Sequence, residues 1–257
     1  MDLGLTDRTA VVPGATSGLG LAIARALSAE GANVVLAGRR GQLVTEHAAA
    51  LPSAVGVACD LTAPDGPDRV VAAAEAQFGP VDVLVLNGGG PAPGTAVELG
   101  PDGAEAAVRQ LVQPHVRLIG AVLPGMRRRG WGRIVAVGSS GVQQPIDGLV
   151  NSNLGRAALA GYLKTLAAEV AADGVTVNMV LPGRIDTDRV AALDRSAAER
   201  TGLSPQDVRR ASEASIPTGR YGTAEEFAAV VTFLAGSPAA YVTGAQVRCD
   251  GGYVRAH

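Results

Sequence analysis

The chain has almost no lysine: of its 22 basic residues 21 are arginine, and Lys164 stands alone. It has two cysteines, Cys59 and Cys249. That is too few for a disulfide-stapled secreted scaffold and reads as free thiols in a reducing compartment. Aromatic residues make up 3% of the chain against 47% hydrophobic residues in all, so the core must be aliphatic. No uncharged apolar run reaches the length of a bilayer span. Met1–Thr9 lacks the basic start and apolar run of a signal peptide. A net charge of −2 offers no basic excess for nucleic acid or an anionic membrane. The expectation is a soluble, cytoplasmic chain that works on small molecules, with no nucleic-acid, membrane or metal partner.

What is present is a regular alternation of short aliphatic runs and longer helical stretches. Strands are expected at Thr9–Val12, Asn33–Ala37, Ala54–Ala58, Val81–Leu86, Arg133–Val137, Thr176–Val180 and Ala245–Arg248. Helices are expected at Leu19–Ala29, Gln42–Ala50, Pro67–Phe78, Asp102–Arg129, Ser152–Ala172 and Ala224–Leu234. The long stretch Asp102–Arg129 would have to accommodate Pro114 within one helix. Strict β-α alternation predicts an α/β chain: a doubly wound parallel sheet of Rossmann type, forming a single domain over residues 1–257. One segment breaks the rhythm. Arg184–Arg220 is polar and carries short helical patterns at Asp188–Arg200 and Pro205–Ser215. It follows a strand C-terminus, where ligands bind in such sheets, and is read as a substrate lid.

After the first strand comes Pro13-Gly14-Ala15-Thr16-Ser17-Gly18-Leu19-Gly20. Gly14 permits the tight turn, Gly18 lets backbone approach a pyrophosphate, and Gly20 lets the next helix pack on the sheet. The N–H groups of that helix's first turn then face the phosphates. The second strand ends at Gly38-Arg39-Arg40, with no carboxylate to bind an adenosine ribose. Arginine there suits a 2′-phosphate, which selects NADP(H), with Arg39 the better contact. Asp60 and Leu61 close the third strand beside the adenine. Asn87-Gly88-Gly89 closes the fourth beside the adenosine ribose.

These landmarks resemble the short-chain dehydrogenase/reductase family over nearly the whole chain. The match continues through Gly132-Arg133-Ile134-Val135 to Ser139-Ser140, then Asn178-x-x-x-Pro182-Gly183-x-Ile185-x-Thr187. It ends with Gly219-Arg220-Tyr221-Gly222-Thr223 and Thr243-Gly244 to Asp250-Gly251-Gly252. The resemblance implies that Ile185 and Thr187 flank the nicotinamide, with Pro182 and Gly183 also among the cofactor contacts. It also implies a homo-oligomer, a homotetramer or a homodimer.

The family's usual catalytic group is Asn, Ser and a Tyr-x-x-x-Lys pair, and here most of it is missing. No Tyr-x-x-x-Lys occurs anywhere in the chain. In register, Ser152 falls at the Tyr position and Arg156 at the Lys position, and the Asn position falls near Leu111. The serine is retained as Ser139 or Ser140; spacing leaves both open. Arg156 keeps its charge and can fork onto ribose hydroxyls. The Ser152 hydroxyl is far less acidic than a phenol. His115, about one turn past the lost Asn, is a further acid/base candidate. Asp147, Gln143 and Gln144, in the loop before Ser152, are placed on the substrate side. Lys164 is expected off the relevant face. The sequence therefore points to an NADP(H)-dependent oxidoreductase with an altered proton route, acting on a carbonyl, imine or conjugated enone. A non-redox enzyme (cyclase, dehydratase or isomerase) and a non-catalytic NADP(H)-binding protein on the same scaffold are the alternatives.

Overall fold

The computed structural model describes residues 1–255. Its strands are β1 (Thr9–Pro13), β2 (Asn33–Gly38), β3 (Ala54–Ala58), β4 (Val83–Leu86), β5 (Gly132–Val137), β6 (Val175–Pro182) and β7 (Gln246–Cys249). Its helices are α1 (Gly18–Ala29), α2 (Gly41–Ala49), α3 (Gly66–Phe78), α4 (Pro101–Leu111), α5 (Gln113–Arg129), α6 (Val150–Val170), α7 (Asp188–Thr201), α8 (Pro205–Ser215) and α9 (Ala224–Ala235).

Every residue of β1, β4 and β5 is buried. Continuous Val, Leu and Ala runs of this kind have no polar face to turn to water, so both sides must be covered. The strands pair in parallel in the order β3-β2-β1-β4-β5-β6-β7. Ile23, Leu27, Phe227 and Val231, from α1 and α9, cover one face. Val70, Leu118, Met126, Leu159 and Leu163, from α3, α5 and α6, cover the other. The result is the single-domain doubly wound sheet that the alternation predicts. The chain runs outward from β1 to β3, then returns to place β4 against β1. At that reversal the connections diverge and leave a crevice at the strands' carboxyl ends.

One expected element is corrected. The stretch Asp102–Arg129 is two helices, not one. It breaks at Val112, whose φ and ψ are −119° and −57°. Pro114 lies in the first turn of α5, where its missing N–H costs nothing and no preceding turn meets its ring. Pro124 lies inside α5, which ends on left-handed Gly130.

In the polar segment, α7 and α8 are held by side chains of both signs. Arg184 pairs with the buried Asp194 at 3.1 Å, and the Tyr221 hydroxyl donates to the same carboxylate at 3.0 Å. Arg209 on α8 reaches Asp186 at 2.9 Å. Among the described residues no helix is long and apolar enough to cross a membrane.

Candidate functional site

The crevice opens into one cavity of about 990 Å³. All the residues singled out from the sequence as cofactor contacts or catalytic candidates border it. They come from the carboxyl ends of β1 to β6 and from α1, α5 and α6.

The glycine-rich turn forms the floor of one end. Gly14 and Gly18 take φ values of 62° and 55°, which a residue with a Cβ adopts only with strain. A Cβ on Gly20 would stand 2.3 Å from the Gly14 carbonyl oxygen, so close packing of turn and helix requires glycine there. Ser17 precedes α1 in an extended conformation and its side chain makes no cap bond, so the first N–H groups of α1 stay open to the crevice. Asn87 works on the turn from behind. Its Nδ2 donates to the Pro13 carbonyl at 2.9 Å and the Gly14 carbonyl at 3.4 Å, tying the end of β4 to the end of β1.

Arg39 and Arg40 diverge at the end of β2. Arg40 folds back and donates to Thr16 Oγ1 at 2.6 Å and Ser17 Oγ at 2.9 Å. Arg39 is exposed at the cavity edge and makes no ion pair among the described residues. The Asp60 carboxylate accepts from the backbone N–H and hydroxyl of Thr62, at 2.9 and 2.8 Å. Those bonds hold its acidity above that of an ordinary aspartate. Thr187 caps α7, its Oγ1 accepting from Val190 N at 3.4 Å. Ile185 is buried against Gly222.

The other end of the cavity holds Ser139, Ser140, Ser152, Arg156 and His115. Ser139 is half-buried at the end of β5, and its Oγ accepts from Gly141 N at 3.1 Å. Ser140 is buried and starts a short 3₁₀ turn. Ser152 lies in the first turn of α6, and Arg156 lies one turn further along the same face. Arg156 Nη1 donates to the Val137 carbonyl at 2.6 Å. Burial, then the charge of Arg189, pull the Arg156 pKa down to about 10, so it remains a cation at neutral pH. His115 is 5% exposed, and its Nδ1 has no partner among the described residues. Burial, then Arg156, push its pKa down to about 4, which keeps the ring neutral.

Leu111, at the position where the family's Asn was sought, is buried against Gly155 of α6. Asn153 also serves the site indirectly. It accepts from Ile146 N at 3.2 Å and donates to Ile146 O at 2.9 Å, which sets the loop carrying Asp147 at the cavity wall. Lys164 donates to the Gly244 carbonyl at 2.9 Å, away from the cavity, as its position on α6 predicts.

Two expected substrate-side residues are displaced. Gln143 reaches across to Gln246 on β7 at 3.2 Å, and neither Gln143 nor Gln144 borders the cavity. The short 3₁₀ turn rotates both outward, while Asp147 three residues on points in. The sequence reading missed Arg189, Leu193, Ser196 and Arg200, which line the cavity from α7. Their spacing of four, three and four residues marks one helix face and was the available signal. It also missed Arg109 and Gln110 of α4, and Tyr253, the one tyrosine on the cavity wall among the described residues. Nothing local announces Tyr253, because only the fold brings the chain's end to the site.

A family model described as enoyl-(acyl carrier protein) reductase matches residues 14–254. The 3-oxoacyl-[acyl-carrier-protein] reductase MabA of Mycobacterium tuberculosis is 33% identical over 98% of this chain and 94% of its own length. The 3-oxoacyl-[acyl-carrier-protein] reductase FabG of Escherichia coli is 34% identical over 95% of this chain and 96% of its own. Among solved structures, the L-sorbose reductase of Gluconobacter frateurii, complexed with NADPH and L-sorbose, superposes with a TM-score of 0.93. It is 33% identical and covers 100% of both chains. YwfH, an NADPH-dependent reductase of bacilysin biosynthesis, superposes with a TM-score of 0.92 at 28% identity, over 97% of this chain and 99% of its own. With the glycine turn, the sheet order and the cavity in agreement, this chain belongs to the short-chain dehydrogenase/reductase family.

Proposed function

We propose that the chain is an NADP(H)-dependent oxidoreductase whose proton route departs from the family's Tyr–Lys pair. The observation that carries this is the continuity of the cavity: the glycine cradle at one end and the Ser139–Arg156 wall at the other share one space. The residues present fit the cofactor. The cradle is closed to any Cβ at Gly20, the end of β2 bears two arginines and no carboxylate, and Arg39 keeps its guanidinium free for a 2′-phosphate. The relatives and structures named above are reductases, two of them described with NADPH.

When bound, the cofactor supplies or accepts a hydride. The chain's own groups then manage the charge at the substrate oxygen. Ser139, the half-exposed member of the serine pair, donates a hydrogen bond to that oxygen. Arg156 holds the ribose side and stabilises negative charge as it develops, because a fixed guanidinium in a desolvated wall acts strongly on a nearby oxyanion. Ser152 shapes the wall, its hydroxyl being too weak an acid to replace a phenol. A substrate that needs little proton donation in the hydride step, such as an imine or a conjugated enone, suits this wall better than a plain ketone. The α7–α8 segment at 184–220 covers the substrate end as a lid, with α7 its inner face.

The test is anaerobic turnover of NADPH against carbonyl, imine and enone panels, followed at the reduced cofactor's absorbance together with product analysis. One NADPH consumed per product is expected in at least one class. Product without any absorbance change would establish a non-redox enzyme instead. No turnover in any class would leave a cofactor-binding protein.

A further inference from the structure

His115 lies in the first turn of α5 and is buried in the cavity wall. Among the described residues neither nitrogen of its ring has a hydrogen-bond partner, and Nδ1 is shut off from solvent. A buried polar atom left unbonded costs free energy that a ligand can return. The ring's orientation shows where such a ligand would lie. Cε1, the carbon between the two nitrogens, stands 4.0 Å from where a Cβ on Gly88 would be. Among the described residues that Cβ would meet no other atom within 4 Å beyond its chain neighbours, and a Cβ on Gly89 would meet none. The end of β4 is therefore bare, with the nitrogen-bearing edge of the imidazole beside it. Two side chains hold that end in place. Asn87 bonds the Pro13 carbonyl, and Gln110 Nε2 donates to the Gly89 carbonyl at 3.3 Å.

The chain crosses from β4 to β5 through α4 and α5, so the ring stands at the seam between those strands. Leu86 pairs with Ala136, which puts Gly88 about one strand spacing, ~4.8 Å, from the Val137–Gly138 end of β5. A dinucleotide lies across such a crevice at the reversal between β1 and β4, with one mononucleotide half on either side. The glycine turn and Arg39 belong to the β1–β2 side, so the β4–β5 seam falls to the nicotinamide half. Burial disfavours the imidazolium, and a neutral ring has a bare nitrogen that accepts from a hydroxyl but offers a phosphate no charge. We propose that His115 accepts a hydrogen bond from a hydroxyl of the nicotinamide ribose and so belongs to the cofactor site rather than to the proton route. This rests on the NADP(H) reading above and adds a contact from α5 that the glycine turn and the strand ends do not supply.

The experiment measures binding of NADPH, by its fluorescence, and of 2′,5′-ADP, by calorimetry, to the wild type, His115→Leu and His115→Gln. 2′,5′-ADP keeps the adenosine ribose and its phosphates but has no nicotinamide ribose. His115→Leu should weaken NADPH about 3–10-fold, the worth of one hydrogen bond, and leave 2′,5′-ADP within about 2-fold. His115→Gln, which keeps an acceptor on its side chain, should recover part of the NADPH loss. Without ligand at pH 7, the urea midpoint of His115→Leu should not fall, because the free protein loses no hydrogen bond. Equal NADPH affinity in the wild type and His115→Leu overturns the proposal; a fall in kcat at that unchanged affinity would give the ring to the substrate instead. Parallel losses for NADPH and 2′,5′-ADP overturn it too, since they put the ring on the adenosine half or on the fold itself. If His115→Leu does not fold, His115→Gln and the shorter His115→Asn carry the comparison. The proposal then expects weaker NADPH binding in His115→Asn at equal 2′,5′-ADP binding, and equal NADPH binding overturns it. A wild type that binds neither ligand overturns the NADP(H) reading, and this proposal with it.

Discussion

Leu111 on α4 packs against Gly155 on α6 so closely that a Cβ on Gly155 would stand 2.7 Å from Leu111 Cδ1 and 3.1 Å from the Ala107 carbonyl oxygen. This contact brings α4 against the helix that bears Ser152 and Arg156, and Gly155 lies between those two residues in sequence. Gly155→Ala is expected to push the helices apart at a cost of about 1–3 kcal/mol. Urea unfolding midpoints measure it. In a Leu111→Ala background the same Gly155→Ala change should cost less, because the Leu111 Cδ1 it would meet is gone.

In the reading proposed above, the Arg39 guanidinium at the end of β2 contacts the 2′-phosphate. Arg39→Ala should weaken NADPH binding about 10–100-fold, the loss of one charged contact to a phosphate, and leave NADH within about 3-fold. Titrations of both cofactors against the two proteins decide it. Equal losses for NADH and NADPH would remove Arg39 from the 2′-phosphate.

The two serines of the wall should behave differently. Ser139→Ala is expected to lower kcat about 10–100-fold, since it removes a donor to the oxygen that gains charge. Ser152→Ala is expected to change kcat less than about 3-fold. A comparable fall in the Ser152 variant would place its hydroxyl in the proton route.

His115 should leave a mark on stability against pH. Its pKa in the fold is about 4, below the ordinary histidine value of 6.5, because burial and Arg156 hold it neutral. The fold therefore binds fewer protons than the unfolded chain between those values. The stability this histidine contributes is fully present above about pH 6.5 and is lost as pH falls toward 4. Between pH 7 and pH 5 its share of the loss is about 2 kcal/mol. His115→Leu should flatten that part of the acid limb in urea unfolding at the two pH values. An unchanged slope would mean that the ring is not held neutral.

Much of the site was legible because its parts are local. The Gly14–Gly20 turn lies between one strand and one helix, and each glycine answers to a dihedral or a close approach within eight residues. Arg39 and Asp60 end consecutive strands, so the strand pattern alone brought them to one edge. The helix break at Val112 was half legible. Pro114 announced a strain, but a kink and a full break look alike in sequence until the packing of α4 on α6 is known. Gln143 and Gln144 were misplaced for a similar reason, since a single 3₁₀ turn decides which way each residue of that loop faces.

The sequence by itself determined the alternation, the parallel sheet and the phosphate-binding turn. These follow from short continuous aliphatic runs alternating with longer helical stretches, and from backbone conformations that glycine permits. Tertiary structure alone decided which side chains share the cavity. Arg156 from α6, Arg189 from α7, His115 from α5 and Tyr253 from the chain's end meet there only because separate crossovers return to the same sheet edge.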